Sequence, residues 1–319
     1  MALGTSMNAS ESESPAWLAP IGWLGWLVVG TLGHLGATAV VMISAATSFV
    51  RSSDDDEEAG LWSATIAELS WMLFAGCPLV GLVHVAMGSF LSLQAYYGST
   101  FVDGTGAVVG VGLLRNLASM MTGLTLAGLL PVRIIPELRG MQRRRRIERA
   151  RATQAEAVRG STGRPTAAER EAPIPSPGRL AGPRLLAAVV ATPLLSIWGC
   201  LVGTVVGWQS SGTLMGLPSE TFFLMFVRMI WYRDVVGLLV KGSLFGLFTA
   251  ALSCSEGLRN DESETDGDEV RGGSTHGAAI LRASCLSMAA ILLINMTWFV
   301  LIYHAAPVYG PSLLQPPTP

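Results

Sequence analysis

The chain has 319 residues, half of them hydrophobic and 14% charged, with a mean hydropathy of +0.47. Soluble domains carry about 25% charged residues, so an ordinary water-soluble domain is excluded and an integral membrane protein with several spans is indicated. The net charge of −2 identifies no partner; the distribution of charge along the chain is the informative quantity.

Residues 1–16 carry Glu11 and Glu13 and no Lys or Arg. A secretory signal has a basic start, so this segment reads as a disordered N-terminus. Residues 17–50 are long enough to span a bilayer and carry no charge, but hold Trp17, Trp23 and Trp26. Tryptophans gather at membrane interfaces. This run is expected to be an interfacial or re-entrant helix, with a sixth span as the alternative. Residues 51–70 follow as an acidic linker, in which "DDDEE" (54–58) reads as solvated.

A transmembrane helix needs about 20 mainly apolar residues. Runs of that kind occupy 71–97, 107–135, 185–208, 235–253 and 279–303. None alternates as barrel strands do. The expectation is an all-α membrane bundle of about five transmembrane helices plus the N-terminal element. Between spans, 98–106 is short. The segment 136–184 is an Arg/Pro-rich insertion with twelve arginines, among them "QRRRRIERAR" (142–151). Arginine-rich loops stay in the cytoplasm, so this one is expected there, with the C-terminus on the opposite side. In 209–234, Ser219 is a candidate cap for a short surface helix with Phe222, Phe223, Phe226 and Ile230 on one face. Residues 255–278 are acidic and glycine-rich, and the tail 305–319 is expected to be disordered.

Little in the chain suggests covalent chemistry. Cys77, Cys200, Cys254 and Cys285 lie far apart with no CxxC, and His34, His84, His276 and His304 are scattered. Neither set has metal-ligand spacing. No Walker A, GxSxG or HExxH pattern is present, and "NDESETDGDE" lacks the start of a calcium loop. No cofactor or metal is expected. Gly199, Gly203 and Gly207 repeat at helical spacing, as do Gly242 and Gly246, and Gly106 and Gly110; small residues four apart let membrane helices approach closely. Arg115 and Lys241 fall inside apolar runs, where a charge costs roughly 2.5–3.5 kcal/mol. No acid adjoins either one in sequence, and Asp234 precedes Lys241 by about two turns. Two readings stay open: an anionic ligand between them, or snorkelling from span ends.

Several short motifs, in order over about residues 71–290, resemble the MlaE/YrbE-type permeases of ABC lipid transporters that work with MCE-domain proteins. "LSLQAYYG" (91–98) matches a family L-Q. "RNLAS" (115–119) stands for R-E-L-G-P, and "AG" (127–128) for A-G-R. "ELRGM" (137–141) stands for E-L-G-x-M. "SPGRLAGPRLLA" (176–187), "KGSLFG" (241–246) and "CSEG" (254–257) follow in the family order. The departures are Asn116 for the acid, Ala118 for the Gly, Ser119 for the Pro, Leu129 for the Arg after A-G, and an Arg-rich coupling segment in place of an acidic one.

The resemblance implies a permease in the bacterial inner membrane that pairs as a homodimer. ATP hydrolysis would occur in a separate ABC ATPase subunit, and phospholipid would pass to or from an MCE-domain protein. It implies that Gln94, Arg115, Asn116 and Lys241 meet the lipid headgroup. It also implies that Glu137, Arg139, Gly140, Met141 and Arg143, Arg144, Arg145 and Arg146 couple to the ATPase. The departures keep one alternative in view, a membrane scaffold of the same fold without ATP-coupled transport.

Overall fold

A computed structural model describes residues 19–51, 55–98, 105–159, 177–259 and 269–304. The expected disordered ends, the Pro-rich part of the insertion and most of the acidic run near 260–268 lie outside those residues. Eight α-helices and two π-helical turns account for nearly all of what is described: α1 (Ala19–Arg51), α2 (Asp55–Gly98), α3 (Thr105–Gly110), π1 (Val111–Leu117), α4 (Ala118–Arg159), α5 (Pro177–Met215), α6 (Ser219–Met229), α7 (Tyr232–Leu258), α8 (Glu269–Phe299) and π2 (Val300–His304). Each expected span lies inside one helix or one helix–π–helix run. Six helices are long and apolar enough to cross a membrane, counting Val29–Ser48 of α1. The molecule is an all-α, multi-pass membrane bundle.

The helices overrun the apolar runs, and the chemistry of the flanks explains why. The insertion 136–184 reads from sequence as one long connection, yet α4 continues through it to Arg159 and α5 begins at Pro177. Residues 142–159 are almost all Arg, Gln, Glu and Ala, strong helix formers. Proline is well tolerated in a first helical turn, which suits the start at Pro177. At about 1.5 Å per residue, the 42 residues of α4 reach about 63 Å, twice the roughly 30 Å of a hydrocarbon core.

α5 is the central helix. It packs on α2, α7 and α1, and it carries buried Ala187, Ala188, Ala191 and Leu195. The outer helices keep broad apolar faces open: Phe74 of α2 is 86% exposed and Leu293 of α8 67%. In a membrane such faces meet lipid tails or another helix, with no cost of contact with water.

The contacts of α1 distinguish it from the five central spans. Gly246 of α7 packs on Ala188 of α5, fixing the relative depth of the two helices. Nine residues on from Gly246, Ser255 shares a hydrogen bond with Thr38 of α1 (3.3 Å). Ten residues back from Ala188, Gly178 lies against the carbonyl of Ser44 of α1. Ser255 and Gly178 therefore sit at nearly one depth. Thr38 and Ser44 are about 9 Å apart along α1, the spacing of packed neighbouring helices. α1 thus meets α7 and α5 near one end of the bundle, and it is unbroken, without the reversal of a re-entrant segment; its length and composition also suit a span.

α6 forms where the phenylalanine pattern predicts, but two details are corrected. Ser219 is not its cap. Pro218 holds that position without a side-chain hydrogen bond, and Ser219 Oγ instead accepts one from Trp208 Nε1 at 3.0 Å. Of the four residues assigned to one face, Phe222 and Phe226 stack together toward α3, Phe223 is 41% exposed, and Ile230 follows the helix end. The i, i+4 pair shares a face; i+1 turns by about 100°.

Candidate functional site

Where α6 joins α7, the two cations that sequence left without an acid become parts of one cluster. Arg115 lies in π1, the wide turn in which the Ala118 N–H reaches back five residues to the Leu113 carbonyl. Such turns are rare and occur mostly as single insertions at functional sites. Arg115 Nε and Nη2 donate to Asp234 Oδ1 and Oδ2 at 3.0 and 3.1 Å, a bidentate pair. Asp234, 2% exposed, also accepts from the Trp231 backbone N–H at 3.1 Å and so caps α7. The Arg115 and Arg233 guanidiniums lie over the Trp231 ring, 5.1 and 3.9 Å from its centroid. The expectation of two cations lacking a counter-ion is therefore corrected. The acid comes from the first turn of α7, 119 positions from Arg115, and sequence neighbourhood could not show it.

Lys241, the chain's single lysine, is 1% exposed. Its Nζ donates to the Arg115 carbonyl at 2.7 Å and to Asn295 Oδ1 of α8 at 3.3 Å. Asn295 Nδ2 in turn faces Met120 Sδ of α4 at 3.5 Å. One ammonium thus ties π1, α7 and α8 together. Asn116, beside Arg115, has a buried Oδ1 that accepts no hydrogen bond from the described residues. Gln94 stands apart, exposed on α2, and no described contact joins it to the cluster.

At the opposite end lies a second charged network. Arg184 of α5, 7% exposed, reaches Glu137 Oε1 of α4 with Nη2 at 2.9 Å and has Nε 3.4 Å from Glu68 Oε1 of α2. Arg133 approaches the same two acids at 3.5 and 3.8 Å and covers the Trp71 ring at 3.9 Å. Glu137 is thus bound into the bundle, at the root of the arginine-rich extension of α4. Arg139 is buried, Gly140 is exposed and Met141 half-buried, whereas Arg143, Arg144 and Arg146 are exposed beyond the last contacts with α7. Gln142 makes one of those contacts, donating to the Leu258 carbonyl at 3.2 Å.

Between the two ends run close helix seams. On α5, Gly199, Gly203 and Gly207 meet His84, Leu113 and Val109, and the Gly203 carbonyl lies against Gly88 of α2. On α7, Gly242 and Gly246 meet Pro193 and the Ala188 carbonyl of α5. A Cβ at Gly199 would stand 2.5 Å from the His84 ring, so that position has no room for a side chain. The two glycine series therefore set α5 against α2, π1 and α7, the contacts on which any relative sliding would act.

Sequence reasoning missed Glu68 and Asp234 as parts of these clusters. Each lies within three residues of the end of an apolar run. An acid at a span boundary facing an arginine elsewhere at the same depth was the available signal. No three His, Cys, Asp or Glu among the described residues are grouped so as to hold a metal.

Comparison with known proteins agrees with this architecture. A family described as Permease MlaE matches residues 170–301, which run from α5 to α8. A "Probable ABC transporter permease protein" of Rickettsia bellii is 22% identical over 269 residues, covering 83% of this chain and 92% of its own. A similarly named protein of Rickettsia typhi is 23% identical over 263 residues, covering 81% and 92%. One from Rickettsia prowazekii is 23% identical over 241 residues, covering 74% and 83%. Residues 170–301 match the MlaE permease family, and with its multi-pass helical bundle and the motif order read from its residues the chain resembles the permeases of ABC transporters.

Proposed function

We propose that this chain is the membrane subunit of a phospholipid transporter, working as a homodimer with a separate ABC ATPase and an MCE-domain partner. The observation that carries this reading is the pairing of two charged clusters at opposite ends of helices joined by glycine seams. At one end, Arg133, Glu137 and Arg184 bind α2, α4 and α5 together directly beneath the arginine-rich rod of α4. A push on that rod reaches the bundle through this network. At the other end, π1, α7 and α8 meet at Arg115, Asp234 and Lys241, where a change in helix tilt alters what a lipid meets.

In this reading the arginine-rich extension of α4 faces the cytoplasm of a bacterial cell, following the positive-inside rule, and the C-terminus faces the periplasm. Arg143–Arg146 contact acidic residues on the ATPase. Arg115 is committed to Asp234, so its role toward a headgroup is to position the polar end of the cavity; Asn116, with its unused buried oxygen, is the direct contact. The energy comes from the ATPase, and this subunit supplies two states with different affinity for the lipid.

The test is a mild-detergent pull-down of the tagged chain from native membranes with mass spectrometry of co-purifying proteins. Recovery of an ABC ATPase and an MCE-domain protein, with loss of the ATPase on charge reversal of Arg143–Arg146, supports the reading. A persistent homodimer with neither partner supports a scaffold of the same fold, which Asn116 and Leu129 in place of family charges favour.

A further inference from the structure

Where α1 packs on the end of the bundle it leaves a cleft of about 1020 Å³ between itself, α7, α8 and Pro177 at the start of α5. Its walls are apolar, formed by Val29, Ala37, Val40 and Val41 of α1 and Leu286 of α8. Glu256, 1% exposed, closes its polar end and gathers three basic side chains: His34 Nδ1 at 2.8 Å, Arg282 Nη2 at 3.2 Å and Arg259 Nη1 at 3.7 Å. This cluster shares no residue with the one at Arg115 and lies at the opposite end of α7.

We infer that the cleft is a second binding site, for a membrane lipid with an anionic phosphate headgroup, its chain along α1 and its phosphate between Arg259 and Arg282. Three observations select that occupant. First, charge: among the described residues one carboxylate faces two guanidiniums, leaving an excess positive charge. Each guanidinium has five N–H donors, and Arg259 and Arg282 remain 51% and 46% exposed while touching Glu256. Phosphate oxygens suit such forked donors. Second, size: small-molecule pockets run to about 1,000 Å³, and this cleft is at the top of that range, room for an acyl chain and a headgroup. Third, surroundings: Val29, Leu32, Leu35 and Val40 are each at least 58% exposed on α1. The cleft therefore opens among apolar side chains, where hydrocarbon is the neighbour. The bound lipid fastens α1 to α7 and α8, whether or not the chain transports anything.

The site can be filled without disturbing packing. Gly30 and Gly33 line the cleft, and a Cβ on either meets no atom within 4 Å. Wild type, the pair Arg259→Gln/Arg282→Gln, and Gly33→Phe would be purified in neutral detergent, offered phosphatidylglycerol or phosphatidylcholine, and read by native mass spectrometry. Wild type is expected to keep one phosphatidylglycerol per chain more than either variant, with retention at that site lowered about tenfold, the equivalent of one lost charge-assisted contact. Phosphatidylcholine counts should not differ among the three proteins. Equal phosphatidylglycerol counts in all three would overturn the inference. Displacement by millimolar inorganic phosphate, with Gly33→Phe still retaining the anion, would also overturn it and mark a site for a free anion. Should Gly33→Phe fail to fold, Gly30→Leu fills the same space and is read in the same way.

Discussion

Breaking the Arg115–Asp234 pair gives the sharpest quantitative test of the cluster. Asp234 is 2% exposed and Arg115 20%, so the pair is dry on one side and damp on the other. Hydrogen bonds to charged groups contribute about 1.5–3 kcal/mol each, and losing one partner of a buried pair costs about 3–5 kcal/mol. Two features lower that figure here. Trp231 still holds the guanidinium after the acid is gone, and polar contacts between membrane helices average only about 0.6 kcal/mol where measured. Asp234→Asn also keeps an oxygen for the Trp231 N–H, so the cap on α7 survives. We expect Asp234→Asn and Arg115→Gln each to destabilise by about 2–3 kcal/mol, and the double variant by less than the sum, with a coupling of about 2 kcal/mol. Equilibrium unfolding by SDS titration in mixed micelles, followed by circular dichroism, measures all four corners of the cycle. A coupling below about 0.5 kcal/mol, the usual additivity error, would refute the reasoning and mean that the two charges are stabilised separately.

Other expectations follow from single contacts. Gly88→Ala puts a methyl group onto the Gly203 carbonyl and should cost about 1–3 kcal/mol, whereas Gly36→Ala meets nothing within 4 Å and should gain up to about 1 kcal/mol; thermal melts in detergent compare them. Lys241→Met leaves the Arg115 carbonyl and Asn295 Oδ1 without their donor, costing about 2 kcal/mol, and hydrogen exchange should rise in π1 before it rises in α5. Arg184→Gln leaves Glu68 and Glu137 facing each other with Arg133 as their remaining described counter-ion. Its melting temperature should fall, and Glu137→Gln in the same chain should restore part of the loss.

The apolar runs announced the central spans because a bilayer demands a minimum length of hydrocarbon, and length is visible in sequence. Helix ends were less legible. The arginine-rich flank of α4 is hydrophilic enough to read as a loop, yet its residues favour helix, and a preceding span supplies the costly first turns. The glycine repeats signalled close approach but not the partner; only the fold shows that Gly203 meets Gly88 while Gly246 meets Ala188. Charge pairing was the least legible feature. Arg115 finds Asp234 at a distance of 119 positions, and Glu256 finds His34 from a far part of the chain. A one-residue π insertion leaves no compositional trace, so the carbonyl that Lys241 takes could not be foreseen.

That Lys241 is both the single lysine and almost wholly enclosed has a practical use. All other basic side chains here are arginine or histidine, so amine-directed reagents have one side-chain target in the protein, and it lies at the junction of three helices. A brief exposure to such a reagent, followed by peptide mass mapping, becomes a clock for the opening of that junction. The labelling rate at one atom reports how often π1, α7 and α8 part. The same reading, taken with and without nucleotide or lipid, would time the working cycle without adding any engineered probe.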